Sequence, residues 1–468
     1  MSERTIKRGG LAIGLEMQKT IKSANQDENK QENLGKLNDG VLKGASILAI
    51  GGLLSKIFGA LYRIPLTTIL GAEGLAVYQT VFPIYCILLT FSSTGVPTAI
   101  SKLISSGYGE RVVLKKCLSI FVPLGFLSSL LMILFAMVIS SMQGNVMATF
   151  AYVMLAPSVV AVSFISCFRG YFQGKMNMLP TAISQITEQI VKLTVGLLLC
   201  SFIKGSPALM GGLACLSVTV SEIVALIYLA VAYKREKFQR VSTYILSFKR
   251  LIATLLPIIL STLLLPVART FDSFTIVNSL KQYTPHASAL YGIYTGSVES
   301  VSGVPVAICY AIAVATLPKI SKSIAVRDVN TVKENVKKAF SYTLFLSSVL
   351  GLALFTFAPL ITSVLFKKLT PYQADVTTRL ISISFFSVVG LAMAQTLTSC
   401  LVAMGKPYLP CAFLSMGLIV KFIMQIYLLK LPQINIFASI YSDIACYFVA
   451  VFLNLLYIRI TLYKKQLT

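Results

Sequence analysis

The sequence is poor in the residue types that most catalytic and metal centres need. It contains a single histidine, His286, so a Ser-His-Asp triad or a two-histidine metal site cannot be built within one chain. Its 9 cysteines lie inside or at the edges of apolar segments without a Cys-x-x-Cys pair, which indicates small embedded side chains. We therefore expect a protein without a metal, a cofactor or enzymatic activity.

Charged residues are also scarce. They make up 12% of the 468 residues, against roughly 25% in soluble domains, while hydrophobic residues make up 56% and the mean hydropathy is +0.79. This composition excludes a water-soluble protein and a large catalytic domain outside the membrane. The 41 basic residues outnumber the 17 acidic ones, but they lie mainly in short loops between apolar runs. That pattern reflects membrane topology and predicts no nucleic-acid partner.

A phosphate-binding loop is missing as well. The segment Gly170-Tyr-Phe-Gln-Gly174-Lys175-Met has the wrong spacing for GxxxxGK[ST] and no Ser or Thr after the lysine. The chain therefore cannot hydrolyse ATP in the P-loop manner. Any transport has to be driven by an ion gradient, the membrane potential or the substrate gradient, and the lack of a selectivity-filter motif argues against a channel.

Apolar runs long enough to cross a bilayer occur twelve times. A helical span needs about 20 such residues, because the hydrocarbon core is ~30 Å thick. The predicted spans are Val41–Ile64, Leu75–Ile100, Cys117–Ser141, Thr149–Phe168, Leu179–Ile203, Ala208–Tyr233, Leu251–Val277, Ala287–Leu317, Phe340–Phe366, Val376–Met404, Tyr408–Leu429 and Ile436–Leu462. We therefore predict an all-α integral membrane protein with twelve transmembrane helices.

Basic residues are unevenly distributed over the predicted loops. The loops after even-numbered spans carry clusters such as Lys115–Lys116, Lys234–Arg235 and Lys337–Lys338, whereas the loops after odd-numbered spans carry few lysines. Because basic residues stay on the cytoplasmic side, the even-numbered loops and both termini are predicted to be cytoplasmic, in a multi-pass protein of the cell membrane. Residues 1–40 are polar and contain no apolar segment of signal-peptide type, so we expect a cytoplasmic tail there.

The chain contains an internal repeat. Gly95-Val-Pro97-Thr-Ala-Ile-Ser-Lys at the end of the second span resembles Thr316-Leu-Pro318-Lys-Ile-Ser-Lys at the end of the eighth. Four further landmarks, from Ser166-Cys to Val191-Lys, recur in the same order from Ser399-Cys to Val420-Lys. We therefore predict two six-helix bundles, residues 41–240 and 241–468, related by an axis along the membrane normal. Bodies of this kind bind substrate between the bundles and expose it alternately to each side.

Ionisable side chains inside apolar spans are informative, because each costs at least ~2.5 kcal/mol on insertion scales and normally faces a cavity or a partner. The first span contains Lys56 and Arg63, which are seven residues apart and share one helical face with Gly52 and Gly59. We predict that this face forms a groove with two cations. The alternative is that the long basic side chains extend to a membrane interface.

Three later spans carry further charges. Glu188 and Lys192 have the i,i+4 order that favours a local ion pair, and Arg269 and Asp272 are three residues apart in a span that two prolines interrupt, a candidate moving part. Glu299, among glycines, is either a proton or coupling-ion site or a salt-bridge partner of a neighbouring helix. We predict coupling or gating roles for Asp272, Glu299, Glu188 and Lys192. Three other in-span charges have no predicted role beyond pairing: Glu222, Lys421 and Asp443.

Several motifs together resemble a known family. They are Leu53 to Gly74 with its Ile64-Pro-Leu-Thr segment, Gly95-Val-Pro97, Phe168-Arg-Gly-Tyr-Phe-Gln-Gly174 and Leu290-Tyr-Gly-Ile-Tyr-Thr-Gly296. They are similar to the polysaccharide-transporter branch of the multidrug/oligosaccharidyl-lipid/polysaccharide (MOP) exporter superfamily, and within it to sporulation proteins and lipid II flippases of Gram-positive bacteria. The resemblance extends from about residue 41 to the end of the chain.

The resemblance implies a V-shaped pair of six-helix bundles, as in MATE transporters, that flips an undecaprenyl-pyrophosphate-linked saccharide outward. In the lipid II flippases, basic residues of the first helix and around the seventh and eighth line the cavity, and by position these are Lys56, Arg63 and Arg269. The implied partners are the lipid-linked saccharide with its pyrophosphate, membrane lipids, and a proton or sodium ion for coupling. The chain lacks the two extra C-terminal helices of the longer lipid II flippases and an internal basic residue in its second helix, which leaves the saccharide open.

Three other functions were considered. A drug or cation antiporter of the same superfamily would need acidic residues to dominate the cavity, which Asp272 and Glu299 permit and the three cations oppose. A major-facilitator carrier would carry a Gly-x-x-x-Asp-Arg-x-Gly-Arg-Arg signature, which the loop Ser101–Lys116 lacks. A scaffold that recruits envelope enzymes through its basic tail would not explain cations within helices.

Overall fold

The computed structural model describes residues 51–52, 54–55, 58–59, 62, 65–90, 95–236, 248–326 and 328–464. Over these ranges the chain is helical and contains no β-strand. Ten helices in the described part are long and apolar enough to cross a membrane, and Phe248–Leu280 is a further helix of 33 residues. The predicted first span lies largely outside the described residues. The all-α membrane fold is confirmed, and the helix count is consistent with twelve spans.

The helices are numbered here in chain order. They are α1 (Pro65–Thr90), α2 (Val96–Ser105), α3 (Glu110–Leu134), α4 (Ala136–Met142), α5 (Thr149–Gly174), α6 (Leu179–Phe202), α7 (Pro207–Lys234), α8 (Phe248–Leu280), α9 (Ala287–Gly292), α10 (Glu299–Ala325), α11 (Val329–Leu365), α12 (Pro371–Ala403), α13 (Tyr408–Leu428) and α14 (Phe437–Lys464). A π-helical turn, Ile293–Val298, joins α9 to α10.

The observed helices differ from the predicted spans at their ends, as in α1, α5 and α11, the last of which begins at Val329 and not at the predicted Phe340. The second span was predicted to begin at Leu75, but the described residues from Pro65 onward are already helical. Gly71, inside α1, has a φ of 68°, a left-handed conformation that glycine adopts without steric cost. The fourth span was predicted to end at Phe168, whereas α5 continues to Gly174 and therefore includes Arg169.

The internal repeat is visible in the packing of the helices. In the N-terminal half α5 packs against α2, α3 and α7, and α7 packs against α6. In the C-terminal half α12 packs against α10, α11 and α14, and α14 packs against α13. Each contact in one half therefore has a counterpart in the other, which confirms two bundles related by a repeat. The predicted boundary at residue 240 and the tail 1–40 lie outside the described residues and stay predictions.

Large apolar side chains cover the outer faces of both bundles. Phe202, Phe345 and Phe452 are 82%, 70% and 64% exposed, and α3 and α11 each bury only 22% of their most apolar window. A water-soluble protein rarely exposes apolar surface on this scale. Lipid contact explains it, because acyl chains solvate such faces without a hydrophobic penalty.

The bundles meet at one end of the molecule. We call the end with the loops 106–109, 175–178 and 404–407 the basic end, and the end with the loops 143–148, 281–286 and 366–370 the opposite end. Four hydrogen bonds join the bundles towards the opposite end: Thr68 Oγ1 to the Leu365 carbonyl (2.8 Å), Gln143 Nε2 to Ser273 Oγ (2.9 Å), Asn278 Nδ2 to the Met142 carbonyl (2.7 Å) and Tyr291 Oη to the Gln79 carbonyl (3.5 Å). Gly292 also approaches α1 closely, because a Cβ placed on it would lie 2.6 Å from the Ala72 carbonyl oxygen.

Candidate functional site

Arg269 of α8 lies between the two bundles and forms an ion pair with α10. Its Nη1 lies 2.8 Å from Glu299 Oε2, so Arg269 pairs with a neighbouring helix and not with Asp272 on its own helix, and Glu299 has the salt-bridge partner that was one of its two predicted alternatives. Side chains three positions apart on a helix point in directions that differ by about 60°. Arg269 and Asp272 can therefore face different neighbouring helices. The Arg269 side chain is 53% exposed and that of Glu299 is 21% exposed. The cation is therefore open to the cleft while its partner is held deeper.

A narrow cleft separates α1 from α8 and α10 at this point. It is lined by α1 on one side and by α8, α9 and the π-helical turn on the other, through Gln79, Phe82, Pro83, Cys86, Arg269, Asp272, Tyr291, Thr295 and Glu299. Its enclosed part measures about 40 Å³. The charged residues at this cleft are Arg269, Asp272 and Glu299, which agrees with the predicted crevice between the bundles.

A second cavity of about 100 Å³ lies within the C-terminal bundle. Arg269 and Glu299 line this cavity too, so the ion pair stands between it and the cleft. The other polar groups on its wall come from α10, α12, α14 and the π-helical turn: Tyr294, Ser302, Ser384, Ser387, Asp443 and Tyr447. A space of this size with several hydroxyl and carboxylate groups has room for ordered water. π-Helical turns are frequent at functional sites, and here the turn contributes to both cavities.

Asp272 belongs to a buried cluster that connects three helices. Lys421 Nζ of α13 lies 2.6 Å from Asp272 Oδ2 and 2.7 Å from Asp443 Oδ1 of α14. All three side chains are buried, and Tyr294 Oη donates a hydrogen bond to Asp443. For Lys421 and Asp443 we predicted no role beyond ion pairing, because the sequence does not show which helices lie next to α8.

The N-terminal bundle contains a separate buried network. Arg169 Nη2 lies 3.0 Å from Glu188 Oε2, and Arg169 Nε donates to Ser184 Oγ at 3.0 Å. In the described part of the chain Glu188 is therefore paired with α5, and the predicted helical partner Lys192 lies instead 6.0 Å from the ring centre of Tyr62. Arg169 was not among the predicted site residues, because the predicted span ended one residue before it. The signal was its position inside the Arg-Gly-Tyr-Phe-Gln-Gly motif.

Lys56 and Arg63 lie outside the described residues, so their predicted role stays a prediction. The glycines of the same helical face are described. Gly52 has no described atom within 4 Å of the position a Cβ would take, and Gly59 has only Gln189 Oε1, at 3.4 Å.

The described residues contain no candidate metal site, because nowhere among them do three or more His, Cys, Asp or Glu side chains form a group that could hold a metal ion. Asp272 and Asp443, the two acids that lie close together in the C-terminal bundle, have the Lys421 ammonium between them. An amino group thus takes the position that an inorganic cation would need in order to bind both carboxylates.

Comparisons with known proteins agree with this architecture. Stage V sporulation protein B of Bacillus subtilis is 27% identical over 68% of this chain and 65% of its own length, and the lipid II flippase MurJ of the same organism is 25% identical over 67% and 64%. The chain thus spans just under two thirds of either relative.

Among solved structures, an inward-facing multidrug resistance MATE transporter of the MOP superfamily superimposes with a TM-score of 0.74, over 88% of this chain and 96% of that one, at 15% identity. The lipid II flippase MurJ in an inward closed conformation gives 0.65, over 86% of each chain, at 14% identity. Residues 41–324 match the family described as "Polysaccharide biosynthesis protein". The chain therefore belongs to this family.

Proposed function

We propose that this protein is a flippase that moves a lipid-linked saccharide, attached through pyrophosphate to an undecaprenyl-type carrier, from the cytoplasmic to the outer face of the cell membrane. The observation that carries the proposal is Arg269, a half-exposed guanidinium in the cleft between the two bundles. Glu299 neutralises this cation in the structure, and the exposed part of the guanidinium remains available to a second anion from the cleft. A guanidinium binds phosphate oxygens through two parallel hydrogen bonds, so it suits a pyrophosphate group.

The proposed transport cycle follows from this site. The pyrophosphate binds Arg269, together with Lys56 and Arg63 of the first span, while the saccharide occupies the cleft and the prenyl chain remains in lipid. The enclosed volumes of about 40 and 100 Å³ are too small for a saccharide, so the bundles have to separate to admit it. The hydrogen bonds that join the bundles near the opposite end have to break for release on that side. An inside-negative potential favours exit of an anion by ~2.3 kcal/mol per unit of net negative charge per 100 mV, and a cation that travels with the anion reduces this term.

A drug or cation antiporter is the second candidate, and the contacts of the acidic residues argue against it. Asp272 and Asp443 are both engaged by Lys421, and Glu299 is engaged by Arg269. A cationic substrate would therefore have to displace a built-in cation at each of these carboxylates. An anionic headgroup needs only to compete with Glu299 for the exposed face of Arg269.

Depletion of the protein in its host, followed by mass spectrometry of membrane lipids, tests the proposal. We expect an undecaprenyl-pyrophosphate-linked saccharide to accumulate, and the wild-type gene to reverse this. Arg269→Gln should fail to reverse it at normal membrane levels. Arg379→Gln is the matched control, because Arg379 is 67% exposed and pairs with Asp375 on its own helix. No precursor accumulation, or full reversal by Arg269→Gln, would refute the proposed function.

A further inference from the structure

We propose that binding of the anionic headgroup to Arg269 transfers a proton from water to Glu299, so that the substrate and one proton occupy the cleft together. This inference rests on the proposed function and adds a coupled ligand to the same site. It starts from the Arg269–Glu299 ion pair, which links α8 to α10 at 2.8 Å and lines both cavities.

The two partners differ in their access to a ligand. Arg269 is 53% exposed, so a phosphate group can reach its guanidinium from the cleft, whereas Glu299 is only 21% exposed and stays behind it. A phosphate that takes the guanidinium in a bidentate contact removes the cation from Glu299. The carboxylate is then left charged in a low-dielectric site without its partner, which is strongly unfavourable. Addition of a proton to Glu299 removes that cost and leaves a neutral carboxyl group.

The cavity in the C-terminal bundle supplies the path for the proton. It borders Glu299 on the side away from α1, its wall carries the hydroxyls of Ser302, Ser384 and Ser387, and about 100 Å³ has room for several water molecules. The proton comes from solvent water through this cavity and adds to a Glu299 oxygen, with no bond broken in the substrate. When the headgroup leaves, Arg269 pairs with Glu299 again and the proton returns to water.

Among the described residues, the other titratable groups near Glu299 are tyrosines, one cysteine, and two acids that pair with Lys421. Those that face it or Arg269 from the packed elements are Cys86 of α1, Asp272 of α8, Tyr291 of α9, Tyr294 of the π-helical turn, and Asp443 and Tyr447 of α14, with Lys421 of α13 behind Asp272. Asp272 and Asp443 keep the Lys421 ammonium when the headgroup binds, because neither contacts Arg269 directly in an ion pair. The single histidine, His286, lies against Tyr372 at the opposite end of the molecule and does not face the cleft. Among the described acids, Glu299 is therefore the one that loses its cationic partner when the headgroup binds.

The test uses the purified full-length protein in detergent and farnesyl-pyrophosphoryl-N-acetylglucosamine as the probe. This probe is a pyrophosphate diester, so its own charge stays constant between pH 6 and 8. Titration calorimetry in two buffers with different ionisation enthalpies measures how many protons the complex takes up. We expect close to one proton for the wild type, and an affinity that rises as the pH falls, by up to about tenfold per unit.

Glu299→Gln should abolish proton uptake, make the affinity independent of pH, and tighten binding by about tenfold at pH 8, because the competitor for Arg269 is neutral. Glu334→Gln is the matched control and should behave as wild type, since Glu334 is 61% exposed and pairs with Lys338 on the surface. Binding by the wild type without proton uptake, or uptake that persists in Glu299→Gln, would overturn the inference and leave the proposed function standing. No binding by the wild type would overturn both. The wild-type proton count remains decisive if the variant does not fold.

Discussion

Lys421 Nζ of α13 lies 2.6 Å from Asp272 Oδ2 of α8, and both side chains are buried within the membrane-spanning region. The same ammonium contacts Asp443 of α14 at 2.7 Å. One cation therefore joins the helix that carries Arg269 to the last two helices of the chain. Charged contacts of this kind hold helices in register at a point where apolar side chains alone give little directional preference.

Removal of the Lys421 ammonium should destabilise the protein strongly. Lys421→Met leaves two carboxylates facing each other without a cation, and loss of one partner of a buried pair costs about 3–5 kcal/mol. We expect a large fall in the thermal unfolding midpoint in detergent, whereas Lys338→Met, at a 56% exposed surface site, should change it little. The combination Lys421→Met, Asp272→Asn and Asp443→Asn should recover most of the loss. Equal midpoints for Lys421→Met and wild type would show that the cluster contributes nothing to stability.

Position 269 should be reachable from water. In a chain without the half-buried Cys86 and Cys411, Arg269→Cys should react with a water-soluble maleimide, because the native side chain is 53% exposed in the cleft. Ala358→Cys should stay protected, since Ala358 is fully buried. Labelling rates followed by mass spectrometry measure both. Protection of position 269 in the presence and absence of the probe would mean that this side chain does not face an aqueous cleft.

Gly292 should be needed for the bundles to meet at the opposite end. A Cβ at this position would lie 2.6 Å from the Ala72 carbonyl oxygen and 2.7 Å from the Ala76 amide nitrogen, both backbone atoms that have to shift. We expect Gly292→Ala to reduce chemical crosslinking between Thr68→Cys and Leu365→Cys several-fold and to lower transport. Gly303→Ala is the control, because no described atom lies within 4 Å of its added Cβ. Unchanged crosslinking in Gly292→Ala would argue against a close approach here.

The first turn of α11, at the basic end, should lose its capping hydrogen bonds at acid pH. Asp328 accepts hydrogen bonds from the hydroxyl and the backbone amide of Thr331, and these contacts lower the pKa of its carboxyl below the ordinary value of 3.8. Because the folded pKa is lowered, this capping stabilisation is present above pH 3.8 and is lost as the pH falls through the folded pKa. The protection of the Thr331 amide from exchange, relative to its intrinsic rate at each pH, should fall over that range, and Asp328→Asn should remove the dependence. An amide that exchanges equally fast in both proteins at every pH would exclude the cap.

The predicted and observed features differ in a consistent way. Span positions follow from runs of apolar residues, and the predicted spans after the first correspond to observed helices, with errors at ends such as Gly174 and Val329. The repeat was visible as well, because corresponding motifs occupy corresponding helix ends. The partners of charged residues were predicted poorly. Arg269 pairs with Glu299 and Glu188 with Arg169, while sequence spacing had favoured neighbours on the same helix.

The sequence by itself determined the membrane environment, the succession of helices, the doubling of the fold and the presence of cations at membrane depth. These properties depend on local composition and on periodicity along one helix, which can be read from neighbouring residues. Only the tertiary structure decided which acid neutralises each cation, that Lys421 occupies the space between two carboxylates, and that Arg269 faces a cleft. Those relationships depend on how helices distant in sequence cross and rotate against one another, and helical spacing contains no information about that.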